Sequence, residues 1–161
     1  MASDNFLKIE GIDGESHDDS HANEIDVLAW SWGMSQSGTM HIGGGGGTGK
    51  VSVQDISFTG WFEKSTPELM KHCINGKHIP SATFVSRKAS GDKPLEYLKI
   101  TLKELIVSSV STGGSGGEDR LTTNFTLNFR DVKVEYIEQT EDGGEGAKPD
   151  FQYNIAKNTL S

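Results

Sequence analysis

Residues 24–55 read EIDVLAWSWGMSQSGTMHIGGGGGTGKVSVQD, and the first half of that stretch decides what kind of fold this is. Leu28, Trp30, Trp32 and Met34 share one parity, while Ala29, Ser31 and Gly33 share the other, which is the two-residue period of a half-buried β-strand. One face is bulky and the other nearly bare, so the tryptophans are expected in the core and the small residues outside it. Gly43 to Gly47 then form an unbroken run of five glycines. With no side chains to pack and much backbone entropy to lose, such a run is either a loose connector or a loop that orders against a partner.

The same run imitates a nucleotide-binding signature. Gly44 to Lys50 fits GxxxxGK, the opening of a phosphate-cradling loop whose lysine reaches the terminal phosphates. That loop next needs a Ser or Thr to hold Mg²⁺ and a helix whose N-terminus faces the phosphates. Val51 stands in the hydroxyl position, and Val51, Ser52 and Val53 alternate as a strand does. A glycine-defined pattern is matched cheaply by a glycine run, and no cofactor is expected.

The 161 residues suffice for a single domain, residues 1–161, with a substantial core. The net charge is −8, with 15 basic residues scattered among 23 acidic ones. Binding a phosphate backbone calls for clustered Lys and Arg, so nucleic acid is excluded as a partner. No stretch approaches the ~20 apolar residues of a membrane span, and the start MASD has neither part of a signal peptide. Synthesis and folding in the cytoplasm are expected, without membrane insertion. A single Cys73 excludes an intramolecular disulfide and suits a reducing compartment.

Before the tryptophan stretch, residues 5–12 read as a short strand with Leu7 and Ile9 on the core side and Phe6 and Lys8 on the other. A polar loop follows, carrying Asp13, Glu15, His17, Asp18, Asp19, His21 and Glu24. His17 and His21 lie four apart but on no helix, and the carboxylates lack the spacing of a calcium loop. The loop is read as solvated and acidic, with no metal.

After the glycine run, residues 50–62 resume as a strand with Val51, Val53, Ile56 and Phe58, whose parity slips between Val53 and Ile56. Such a slip marks a bulge or a corner. The one helix, about 66–75, begins at Ser65-Thr66-Pro67-Glu68. Either Thr66 caps it with Pro67 at the first position, or Ser65 and Glu68 form a capping box. Leu69, Met70, Cys73 and Ile74 form its apolar stripe, and Asn75-Gly76 its left-handed stop. Cys73 neighbours His72, but adjacent helix positions do not face each other, so Cys73 reads as a core residue and not a nucleophile.

Further strands follow at 81–89 and at 95–110, the latter with Leu98, Ile100 and Leu102 on one face, joined by a turn at 90–94. Their parity switches at Glu104-Leu105, again suggesting a bulge. After the glycine turn at 113–117, Leu121, Phe125, Leu127 and Phe129 align, and past Arg130-Asp131 the apolar set becomes Val132, Val134 and Tyr136. Strands that change face part-way suit a barrel or a folded sandwich. An acidic, flexible linker at about 141–149 leads to a last strand with Phe151, Tyr153 and Ile155. The fold class is therefore mainly β: an antiparallel barrel or two-sheet sandwich with one short helix.

These segments resemble a known family. AWSWGMSQSG followed by MHIGGGGGTGKVSVQD, the STPELM helix start, and LKITLKELIVSSVSTGGSGGEDRLTTNFTLNF are similar, in order and spacing, to the haemolysin-coregulated protein (Hcp) family, the tube subunit of the bacterial type VI secretion system. The resemblance runs from Phe6 to about Tyr136, with a weaker tail at Tyr153-Asn154-Ile155. It implies a two-sheet β-barrel flanked by a helix, six copies in a ring with a wide channel, and rings stacked into a tube inside a contractile sheath and capped by a spike. It also implies secretion without a cleaved signal peptide and, in some members, small effector proteins carried in the ring.

On that reading Ala29, Ser31 and Gly33 point to the lumen and contact effectors. The loop of Gly38, Thr39, Met40, His41, Ile42, Gly43, Gly44, Gly45, Gly46, Gly47, Thr48, Gly49 and Lys50 reaches along the tube axis to the next ring. The divergent linker 141–148 departs from the family pattern, and with the sequence ending at Ser161 the extended, toxin-bearing variants of the family are not expected. No catalytic constellation is expected. Two other readings stand beside this one: an enzyme using the phosphate-loop look-alike or His72 with Cys73, and a monomeric barrel that binds a small ligand through Trp30, Trp32 or Trp61.

Overall fold

Two long antiparallel strands close the molecule. In the computed structural model, which describes residues 3–38, 50–88 and 94–161, the strands are β1 Ser3–Ile9, β2 Ile25–Ser31, β3 Met34–Ser35, β4 Ser52–Val53 and β5 Ile56–Trp61, then β6 Ile79–Lys88, β7 Leu95–Gly113, β8 Thr122–Tyr136, β9 Asp150–Asn154 and β10 Thr159–Leu160. The helix, α1 Ser65–Asn75, lies between β5 and β6. β7 and β8 pair from Leu98 opposite Tyr136 to Gly113 opposite Thr122. Around the other side the order β8-β5-β2-β1-β6-β7 returns to β8, so six strands form a closed barrel and none of them is left as an open edge. β9 and β10 extend the sheet from the far half of β8, and β3 with β4 makes a separate two-stranded sheet.

The expected face change in the long strands is present, but not as a bulge. Leu102 and Val132 are buried opposite each other, and so are Leu105 and Phe129. Both strands therefore turn over at one point of the ladder, and the register runs through it, from Lys103 opposite Asp131 to Leu105 opposite Phe129. Glu104 absorbs the turn with a φ of 52°, a left-handed conformation uncommon for a residue with a Cβ. The register shift on this ladder lies further on, between Val107 and Ser109.

The barrel is filled by side chains. An aromatic chain crosses it: the Trp30 and Phe84 ring centres are 4.8 Å apart, Phe84 and Phe58 5.6 Å, and Phe58 and Phe125 5.5 Å. Leu7, Ile56 and Leu127 are wholly buried. Phe6, expected on the solvent side of β1, is buried too, because His21 stacks on it and Arg87 lies over its ring.

The tryptophan face also needs correction. Ile25 and Val27 are buried, but Leu28 and Met34 are 45% and 48% exposed, and Trp30 is 36% exposed. The pairing of β2 with β5 shifts register between Val27 and Ala29, so Leu28 is an extra residue thrown outward. Beyond it Trp30 and Trp32 lie at the margin of the core. Trp32 is half-buried and donates its indole N–H to the Gln54 carbonyl at 2.8 Å. Residues 50–62 are two strands in different sheets, parted at Gln54 and Asp55. Leu121 precedes β8 and is exposed.

The helix packs on β7. Its stop is Gly76 at φ 59°, as expected, but neither expected cap forms. Thr66 Oγ1 accepts from the Glu63 N–H at 3.2 Å and the Ser65 hydroxyl donates to Glu63 at 2.6 Å. Leu69 is buried and Cys73 half-buried, whereas Ile74 is 83% exposed. Residues 141–149, the acidic linker, double back. The Gly146 N–H donates to the Glu138 carbonyl at 2.6 Å, and the Tyr136 N–H to the Pro149 carbonyl at 3.1 Å. Of the turn expected at 90–94, residues 90–93 lie outside the described residues.

Candidate functional site

On the outer face of β2, β5, β8 and β7 the side chains that alternate with the core line up in two rows. Ala29 stands opposite Thr59, Thr59 opposite Asn124, and Asn124 opposite Ser111. Two residues along, Ser31 stands opposite Ser57, Ser57 opposite Thr126, and Thr126 opposite Ser109. All eight are exposed or half-buried, and none is charged. The rows are tied by short bonds: the Thr59 hydroxyl donates to Asn124 Oδ1 at 2.6 Å, and the Ser109 and Thr126 hydroxyls lie 2.6 Å apart. One carboxylate borders the patch, Asp55, which accepts from Ser108 Oγ at 2.7 Å and Asn128 Nδ2 at 2.8 Å. At the other end Arg120 covers the Trp61 ring at 4.2 Å.

Two of the three small residues singled out in the sequence, Ala29 and Ser31, thus begin the two rows. Gly33 does not join them; it lies past the end of β2, half-buried, with its carbonyl accepting from the Gln54 N–H at 3.0 Å. The six other members were not found by sequence. Ser57, Thr59, Asn124 and Thr126 do alternate with Ile56, Phe58, Phe125 and Leu127, but nothing local says which strand lies beside which. Of the long loop, Gly38 and Lys50 are exposed at its two ends, and 39–49 lie outside the described residues. Beside Lys50 a groove of about 520 Å³ opens between β3–β4 and β9–β10, lined among others by Trp32, Met34, Val53, Phe151 and Leu160.

The ligand-type residues of the 13–24 loop are engaged elsewhere. Glu15 Oε2 accepts from the Lys64 N–H at 2.7 Å. Asp18 takes two bonds from Arg87, at 2.6 and 3.0 Å, and that guanidinium is the main reason its carboxyl is held down at about 2. His21 lies between Glu24 and Glu96. Among the described residues no group of three or more such side chains is arranged to hold a metal ion. His72 turns Nδ1 to the Glu68 carbonyl at 2.8 Å, along the helix and away from a partnership with Cys73.

Comparison with known proteins decides the family. A family model described as "Type VI secretion system effector, Hcp" matches residues 6–136. The chain is 62% identical over 159 residues to protein hcp1 of Pseudomonas aeruginosa, covering 98% of each. This chain belongs to the Hcp family of the type VI secretion system.

Solved structures share its fold over 92–100% of the chain. Hcp1 from Salmonella typhimurium is 46% identical, with a TM-score of 0.83 and complete coverage of both chains. The solved structure of another type six secretion system protein is 28% identical with a TM-score of 0.92, covering 99% of this chain and 100% of that one. Hcp3 from Pseudomonas aeruginosa, at 12% identity and a TM-score of 0.62, shares the fold alone. No helix among the described residues is long and apolar enough to cross a membrane.

Proposed function

We propose that this Hcp chain is a structural subunit of the type VI inner tube and not an enzyme. Six copies close into a ring, rings stack into a tube within the sheath and beneath the spike, and small effector proteins ride inside. The protein is made in the cytoplasm and leaves through the apparatus on contraction, without a cleaved signal peptide. The observation that carries this reading is the two-row face. In a chain with 38 charged residues, eight adjacent outward side chains across four strands are uncharged. Hydroxyls and amides hydrogen-bond to any polypeptide without selecting its charge, and they cost far less to desolvate than carboxylates or ammonium groups. Such a wall grips varied cargo weakly and lets it pass. Gly38 to Lys50, rooted at β3 and β4 beside the groove, serve as the contact to the next ring.

The test is the solution mass by light scattering over a range of concentrations, for the wild type and for Ser31→Gln. A cyclic assembly of six is expected for both, with cargo retention lost in Ser31→Gln because a longer side chain projects from the β2 end of the second row. A wild-type monomer at every concentration would remove the channel and favour the small-ligand barrel. Loss of the ring in Ser31→Gln alone would place Ser31 at a subunit boundary.

A further inference from the structure

In the connection from β1 to β2, residues 10–24, the Glu10 N–H still donates to the Ser81 carbonyl of β6 at 3.1 Å, and beyond it the segment forms no strand and lies against the barrel. It turns back on itself: the Gly14 N–H donates to the Asn23 carbonyl at 2.8 Å, the Asn23 N–H to the Ser16 carbonyl at 2.9 Å, and the Ser16 N–H to the Glu24 carbonyl at 3.0 Å. The two limbs are so close that a Cβ at Gly14 would lie 2.4 Å from the Glu24 carbonyl oxygen. Three contacts fasten this hairpin to the body. Glu15 Oε2 accepts from the Lys64 N–H just before α1 while Glu63 Oε2 accepts from the Glu15 N–H, and Asp18 binds Arg87 of β6. The third is His21, 7% exposed, stacked on Phe6 of β1 with ring centres 4.4 Å apart.

The third contact differs from the others in kind. His21 Nδ1 lies 3.0 Å from both Glu24 oxygens, and Nε2 lies 2.7 Å from Glu96 Oε2 at the start of β7. Carboxylates only accept, so both ring nitrogens must donate, and only the imidazolium has two N–H groups. A neutral ring leaves one nitrogen lone pair against a carboxylate, a repulsion in a buried place. We propose that His21 is a protonation-dependent latch that ties the 10–24 connection to β7 between Glu24 and Glu96 and lets go when the ring loses its proton. Release uncovers Phe6 and the outer side of β1. This holds whether or not the chain closes into rings.

The groups around the latch all bear on its sign. Glu24 belongs to the connection, Glu96 to β7, Asp18 to the connection, and Arg87 to β6 beyond the Phe6 ring. Arg87 is itself bound by Asp18 and Asp4. Burial disfavours the imidazolium, but the bonds to Glu96 and then Glu24 outweigh it, so His21 is held above its ordinary value of 6.5. A raised value in the closed form means that the latch is fully shut below 6.5 and weakens as pH rises toward the closed-form midpoint. Arg87 and Asp18 keep their charges throughout that range, so the release is confined to the His21 end.

The experiment is a pH titration of the full-length protein at one concentration. It follows the His21 ring by NMR and the intrinsic-rate-corrected exchange of the Gly14, Ser16 and Asn23 amides. The His21 midpoint is expected above that of histidine in the unfolded chain. Between the two, the opening constant of those amides should rise about tenfold per pH unit, while β7–β8 amides stay flat. Glu96→Gln, at a partly exposed position, is expected to lower the His21 midpoint and move the amide transition with it. A His21 midpoint at or below the unfolded-chain value would overturn the latch, and so would amide protection that ignores the titration or a Glu96→Gln protein identical to wild type.

Discussion

Glu104 is the residue on which the shape of the longest strand turns. It sits in the middle of β7 with a φ of 52° and is exposed, so its side chain contributes no packing to the core. Strand propensity alone would favour a β-branched residue there. The left-handed backbone reverses that preference, since a branched Cβ crowds the neighbouring carbonyl. Glu104→Val is therefore expected to destabilise the fold by about 1–2 kcal/mol and Glu104→Asn to leave it near wild type, as read by urea unfolding. Equal stability of the two variants would mean that the strand relaxes at this point. The switch of apolar parity at Glu104-Leu105 was legible in the sequence. How the backbone accomplishes it was not, because a bulge and a left-handed residue both move the next side chain to the other face. Leu28 shows the same limit: its alternation with Trp30 is intact on paper, and the register shift that exposes it belongs to the pairing with β5.

At the level of elements, the helix separates what propensity specifies from what packing specifies. Its existence and its Gly76 stop follow from local chemistry. Its buried side follows from how it packs on the barrel, mainly against β7, with the Thr66 hydroxyl 3.1 Å from that of Thr123 in β8; Ser65, Thr66 and Leu69 are buried and Ile74 is left in solvent. Leu69→Ala should cost about 2–5 kcal/mol by leaving a cavity. Ile74→Ala should change stability by less than about 0.5 kcal/mol, even though both residues fall on the same apolar stripe in sequence. Chemical denaturation of the pair reads this directly, and comparable losses would mean that Ile74 is covered in the assembled protein.

At the level of the whole molecule, closure of β7 on β8 makes the barrel one cooperative body, because no strand of it can leave without opening two ladders. If six such bodies also share interfaces, binding of folded copies to one another stabilises each by mass action. The thermal midpoint of the purified protein is then expected to rise with protein concentration, with tryptophan fluorescence and far-UV circular dichroism reporting one transition. A midpoint independent of concentration would place the barrel's stability in the single chain.

The sequence by itself determined the β class, the helix at 65–75 with its Gly76 stop, the strands that change face and the family, because alternation, helix stops and segment order are properties of neighbours along the chain. It also marked Ala29 and Ser31 as outward. Only the tertiary structure assembled them with Thr59, Asn124, Ser57 and Thr126 into an uncharged face, and only it set His21 between Glu24 and Glu96. Those groupings depend on the register of strands distant in sequence. That register is set by shifts at Val27/Ala29 and Val107/Ser109 for the uncharged face and at Ser86/Arg87, opposite Glu96, for the His21 site, where the chain adjusts to its neighbours across the sheet and carries no local signal of having done so.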